Sequence, residues 1–298
     1  MYIYGATERR DLKKVIFHFL LLVIIFSCSK DELVVPKDVP SEVYNNLSYG
    51  TDPQQVYDIY LPENRSVNST RVLVLIHGGG WIQGDKSDMN EYIPLMQENL
   101  PGYAIVNLNY RLAQLPARPA FPNQFLDLQA ALNSITSDAG KFGIYSEFAL
   151  VGVSAGGHIA LIYDYLYDSR DQVKVVGSIV GPTNITDPFY SENPEFNLAL
   201  QYLIDESQYN GVQNVAQALS PAYHVSEKSS PTILFYGEKD ELVPVNNGIF
   251  LQQQLEAKGI PNNLIIYEGG HGDWQESDNN DLVLKLREFI KTHLPIID

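Results

Sequence analysis

The chain has 298 residues, 45% of them hydrophobic and 19% charged, which is ordinary for a protein with one substantial core. Its formal net charge of −16 sets the surface against phosphate backbones and argues against nucleic acid as a partner. A single cysteine, Cys28, excludes an intramolecular disulfide and any cysteine-built zinc site, and no metal is implied.

Arg9, Arg10, Lys13 and Lys14 precede an apolar run of 12 residues (15–26) broken only by His18, and Ser27-Cys28 follows. A basic head, an apolar stretch and a small residue at the cut describe a secretory signal over residues 1–27. Such a run spans about 18 Å against ~30 Å of hydrocarbon, so a transmembrane anchor is the weaker alternative. Ile25-Phe26-Ser27-Cys28 resembles a bacterial lipobox, which implies lipid on Cys28 as the sole membrane attachment, at the outer membrane. Ser29-Lys30-Asp31-Glu32 resembles the surface-export signal of some Gram-negative lipoproteins and reads about equally well as a solvated charged linker. Residues 28–42 carry Pro36 and Pro40 among charges with no apolar period, and predict a flexible tether ahead of a single domain over 43–298.

The body alternates strands and helices. VYDIYLP, from Val56, has the alternation of a half-buried antiparallel strand. The continuous apolar runs at 71–76 and 103–108 predict strands covered on both faces, with a polar, helix-compatible segment between them. Asn123 can cap a helix in which Phe125, Leu128, Leu132 and Ile135 recur at three- and four-residue spacing. Residues 148–152 form a strand running into Ser154, with a helix expected from His158 to about Tyr167. Strands at 173–180, 232–236 and 264–267 follow, and an amphipathic helix from Leu282 to His293 closes the chain. This order predicts an α/β protein with a mostly parallel twisted sheet, helices on both faces, and function at the carboxyl ends of strands. Residues 182–230 are long for a crossover and predict a small cap over the site.

Gly152-Val153-Ser154-Ala155-Gly156 is G-x-S-x-G between a strand and a helix, the tight turn that exposes a nucleophilic hydroxyl. His77-Gly78-Gly79-Gly80-Trp81 follows a buried strand; Gly79 and Gly80, with the N–H of Ala155, are the candidate donors to a tetrahedral oxyanion. Among the histidines, His18 lies in the signal, His77 precedes the glycines, His158 suits packing, His224 falls in the cap and His293 near the chain end. His271, in Gly269-Gly270-His271-Gly272 after a late strand, is the candidate general base. The orienting carboxylate belongs between serine and histidine at a strand end. Asp240 fits by its spacing behind Gly237, with Glu238, Glu241 and Asp273 as competitors.

With Tyr110-Arg111-Leu112-Ala113, these motifs resemble the α/β-hydrolase fold esterases of the HGGGW and G-x-S-x-G carboxylesterase branch, similar to hormone-sensitive-lipase-like, acetylxylan and feruloyl esterases, over roughly residues 57–290. The resemblance implies a Ser154–His271–Asp240 triad and ester hydrolysis without a cofactor. Val153 stands where the hormone-sensitive-lipase group usually has an acidic residue, and the N-terminal stretch is short for that group's helical cap. Both departures point to the smaller esterases of plant-polymer degradation and away from lipase-like specificity. Polar Asn184, Asp187, Ser191 and Asn193 mixed with Phe189, Tyr190, Phe196 and Tyr202 in residues 182–230, the acidic surface and a tethered anchor predict short-acyl esters, acetyl first, of a small-molecule or glycan alcohol. Feruloyl esterase or small peptidase of the same fold are the alternatives, and a surface glycan-binding module without catalysis is the competing class.

Overall fold

The computed structural model describes residues 39–296; the signal, Cys28 and most of the tether lie outside the described residues. The first strand, β1 (Glu42–Ser48), takes the last residue assigned to the tether. Ahead of it, Val39 accepts a hydrogen bond from the N–H of Asn64 and Pro40 accepts one from Arg65.

Seven strands follow β1: β2 (Val56–Leu61), β3 (Val72–Ile76), β4 (Ala104–Leu108), β5 (Phe148–Val153), β6 (Val173–Ile179), β7 (Thr232–Gly237) and β8 (Asn262–Tyr267). They form one sheet in the order β1-β2-β4-β3-β5-β6-β7-β8. β1 and β2 pair antiparallel at one end, and β4 through β8 run parallel by way of β3. The strand read at Val56 is antiparallel as expected, but Tyr57, Asp58, Ile59 and Leu61 are all buried, so its burial does not alternate as a half-buried strand's would; the continuous runs are parallel strands covered on both faces.

The helices close both faces. In β3, Val72, Val74 and Ile76 point into one core, shared with α2 (Asn123–Ser137), α3 (Ala155–Ile162) and α5 (Asn246–Ala257). Leu73 and Leu75 point into the other, beneath α1 (Tyr92–Asn99) and α6 (Glu276–His293). Between β6 and β7 lie α4 (Pro194–Leu203) and three single helical turns, Pro188–Ser191, Val215–Ala218 and Pro221–Tyr223. Pro194 starts α4, and the Asn193 side chain accepts from the N–H groups of Glu195 and Phe196.

Three local readings are corrected. Pro122, not Asn123, occupies the cap of α2; Asn123 is its first helical residue and its amide donates to the Pro119 carbonyl instead. α3 starts at Ala155, directly after Ser154, and only its end widens into a π turn at Tyr163–Tyr167. β1 went unread because its two asparagines are poor strand formers and it is a largely exposed edge.

Candidate active site

Sheet register assembles the site in two pairs of adjacent strand ends. Ile76 of β3 lies beside Gly152 of β5, so the glycine run and the serine turn leave the sheet side by side. Gly237 of β7 lies beside Tyr267 of β8, so the loops bearing Asp240 and His271 do the same.

At the first pair the chain is packed too closely for side chains. A Cβ on Gly152 would fall 2.2 Å from the Gly156 backbone, and one on Gly156 would fall 2.2 Å from the Ile76 carbonyl oxygen. Close approach of the β5–α3 turn to β3 therefore demands glycine on both sides of Ser154. Ser154 itself sits at φ 53°, ψ −119°, a geometry that costs a non-glycine residue about 1–3 kcal/mol. That strain places its hydroxyl above the sheet at the amino end of α3, whose dipole favours negative charge there.

At the second pair, Asp240 is held from three sides. Its Oδ1 accepts from the N–H groups of Leu242 (2.8 Å) and Val243 (2.9 Å), and its Oδ2 accepts from His271 Nδ1–H at 2.7 Å. Its side chain has no solvent exposure, whereas the His271 side chain is 22% exposed. Because the carboxylate can only accept, His271 carries its proton on Nδ1 and presents a bare Nε2. Ser154 Oγ–H donates to that Nε2 at 2.9 Å. The three residues selected from the sequence thus form one continuous chain of hydrogen bonds.

The competing carboxylates lie elsewhere. Glu238 is exposed just after β7. Asp273 accepts from the Gly270 N–H at 2.6 Å and shapes the histidine loop. Glu241 lies at the rim of the cavity in front of Ser154.

The glycine loop is pinned from beneath. The His77 ring stacks on Tyr110 at 4.3 Å between centroids, and its Nδ1–H donates to Gly78 O at 2.7 Å. The Tyr110 hydroxyl donates to His77 O at 3.0 Å, and burial pushes the His77 pKa down. The buried Asp127 carboxylate takes the Arg111 guanidinium at 2.6 Å and Gln55 at 2.8 Å, while Gln124 bridges the carbonyls of Arg111 and Trp81. The Y-R-L-A segment is thereby a brace for the loop. Gly79 (φ 110°) and Gly80 (φ 55°) take positive φ, and both line the cavity together with Ala155.

That cavity measures about 620 Å³. Ser154 and His271 line it, together with Trp81, Tyr190, Phe196 and Val243. The segment read as a cap contributes Phe189, Tyr190, Asn193 and Phe196, with Tyr190 and Phe196 at 4.7 Å between ring centroids. Leu242 and Val243 also line it and were missed from sequence. Their only signal was adjacency to Asp240.

Residues 57–255 match the family BD-FAE, about two thirds of the chain. Esterase LipC of Mycobacterium tuberculosis is 25% identical over 221 residues, covering 70% of this chain and 54% of that protein. Arylacetamide deacetylase of Bos taurus is 26% identical over 246 residues, covering 73% and 56%. The chain spans about half the length of these curated relatives. Among solved structures, a truncated carbohydrate esterase from gut microbiota superposes with a TM-score of 0.67 at 20% identity, covering 85% of this chain and 98% of that one. Esterase B of Lactobacillus rhamnosis gives 0.66 at 21%, covering 93% of each. At such identities these two show the fold, which is that of the α/β-hydrolases. With residues 57–255 matched, the chain belongs to the BD-FAE family.

Proposed function

We propose that the protein is a serine carboxylic-ester hydrolase acting through Ser154, His271 and Asp240. The observation that carries this is the unbroken Ser154–His271–Asp240 hydrogen-bond chain opening onto a cavity with glycine backbone on its wall. Ser154 Oγ attacks the acyl carbon while His271 Nε2 takes its proton. The carbonyl π electrons move onto oxygen, and the N–H groups of Gly79, Gly80 and Ala155 receive that oxyanion. As the tetrahedral adduct collapses, His271 gives the proton to the departing alcohol. Water then repeats the sequence on the acyl-enzyme, releasing the acid. Asp240 stays ionised, fixing the Nδ1–H tautomer and offsetting the imidazolium charge. No cofactor takes part.

The substrate in this reading is a short-acyl ester, acetyl first, of a small-molecule or carbohydrate alcohol. Asn193 and Gln83 put polar groups on the cavity lining beside Phe189, Tyr190 and Phe196, whereas a long acyl chain gains its affinity from apolar lining alone, about 0.8 kcal/mol for each buried methylene. The Tyr190–Phe196 wall supports a second reading, an aromatic acyl group held by stacking. Relative kcat/KM for nitrophenyl acetate, butyrate and decanoate, with methyl ferulate alongside, decides between them. Acetate is expected to lead, decanoate to trail at least tenfold, and a dominant ferulate rate would transfer the enzyme to aromatic acyl esters.

The same proposal places the enzyme on a lipid at Cys28, at the outer membrane and facing the outside, where polymer fragments arrive. Radiolabelled palmitate is expected to enter the wild type in a bacterial host and not Cys28→Ala. Equal labelling of both contradicts the anchor, and resistance of the domain to external protease on intact cells contradicts surface exposure.

A further inference from the structure

His158 is a buried titratable group that the proposed chemistry does not use. It lies one turn beyond the nucleophile on α3, with its N–H donating to the Ser154 carbonyl at 3.2 Å. Its ring is fully buried among Trp81, Phe121 and Phe125, with centroids 5.4 to 5.7 Å away. Both ring nitrogens are engaged. Nε2 is 2.7 Å from the Leu219 carbonyl, which can only accept, so Nε2 carries the proton. Nδ1 is then a bare acceptor, and it takes the Trp81 indole N–H at 3.3 Å. Burial holds the His158 pKa down at about 4, so the neutral ring this pattern demands persists through neutral pH.

Trp81 directly follows Gly80 and sits at φ 66°, a left-handed geometry that a bulky residue keeps only when its surroundings over-determine it. Three hydrogen bonds do so. Its carbonyl accepts from Ala113 N–H at 2.9 Å and from Gln124 at 2.8 Å, and its indole is tied to His158. The His158 bond differs in kind from the other two, because it connects the glycine loop to the nucleophile's own helix. Leu219, the partner of Nε2, belongs to the β6–β7 insertion that contributes to the cavity lining.

We propose that His158 is a positioning residue for the oxyanion donors: through the Trp81 indole it fixes the placement of Gly79 and Gly80 relative to Ser154. The inference rests on the ester-hydrolase reading. The oxyanion is absent from the bound ester and develops only on attack, in the transition state and the tetrahedral adduct, so misplacing its donors lowers kcat and leaves substrate binding little changed. A residue that merely fills space would not produce that split.

The test is a double-mutant cycle in the full chain with 4-nitrophenyl acetate. His158→Phe keeps an aromatic ring and removes both side-chain hydrogen bonds; Trp81→Phe removes the indole N–H and keeps an apolar ring. Each is expected to lower kcat about 10- to 100-fold, a part of the 10²–10³ that loss of an oxyanion donor costs, with KM within about threefold. The double variant is expected to be no slower than the slower single variant, because both break one linkage. The rate of inactivation by a phosphonate ester, whose P–O group occupies the oxyanion position, should fall in step with kcat. Multiplying rather than saturating losses, or losses confined to KM, would overturn the proposal. If His158→Phe fails to fold, Trp81→Phe alone decides by the same kcat-against-KM split. A wild type that cleaves no ester would overturn the hydrolase reading; an active wild type with unaffected variants would overturn the positioning role alone.

Discussion

Ser154→Ala is expected to lower ester hydrolysis by about 10⁴-fold or more while leaving the thermal unfolding midpoint at or slightly above that of the wild type. The activity loss follows from the place of the hydroxyl, which donates to His271 and lines the cavity at the β5–α3 turn. The stability expectation follows from the same turn. Among the described residues, Ser154 Oγ makes its side-chain hydrogen bond to His271 alone, and the cost of φ 53° belongs to the backbone, which alanine shares. What survives is catalysis by the oxyanion donors acting on bound water. Retention of a tenth of the activity would mean that another group attacks the ester.

Asp240→Asn is expected to lower kcat by about 10³- to 10⁴-fold, and Glu238→Gln to change it less than twofold. The asparagine oxygen can still accept from the Leu242 and Val243 N–H groups, so its NH₂ is turned toward His271. An amide donor facing Nδ1 forces the proton onto Nε2, and the histidine then cannot accept the serine proton. The loop geometry survives while the tautomer is wrong, so KM should hold within a few-fold. Glu238 is exposed and lies outside the cavity lining. Comparable losses in both variants would mean that the carboxylate partner is misassigned.

How much of this was legible in the sequence depended on whether a feature is local. Buried parallel strands such as β3 and β5 announce themselves as unbroken apolar runs, because both faces are covered. The serine turn did so too, because glycine at 152 and 156 is a steric demand of that turn. His271 and Asp240 followed from chain order and from lying just past strand ends. The register that brings Gly237 beside Tyr267, and so Asp240 to His271, is a property of sheet pairing that no short stretch of sequence contains.

The misreadings have the same cause. β1 is held by pairing with β2 rather than by its own composition, and α2 is entered through Pro122 while Asn123 spends its side chain on Pro119. His158 was read as packing, correctly as far as its aromatic neighbours go. Its bonds to Trp81 and Leu219 join residues 77 and 61 positions away and left no periodic trace.

The central claim is that Ser154 is a nucleophile activated by His271. The most direct measurement is labelling of the full chain with a fluorophosphonate at neutral pH, followed by peptide mass mapping. One adduct per chain is expected, on Ser154, formed at least a hundredfold more slowly in His271→Ala and absent in Ser154→Ala. No adduct on the wild type, or an adduct that persists in Ser154→Ala, would contradict it.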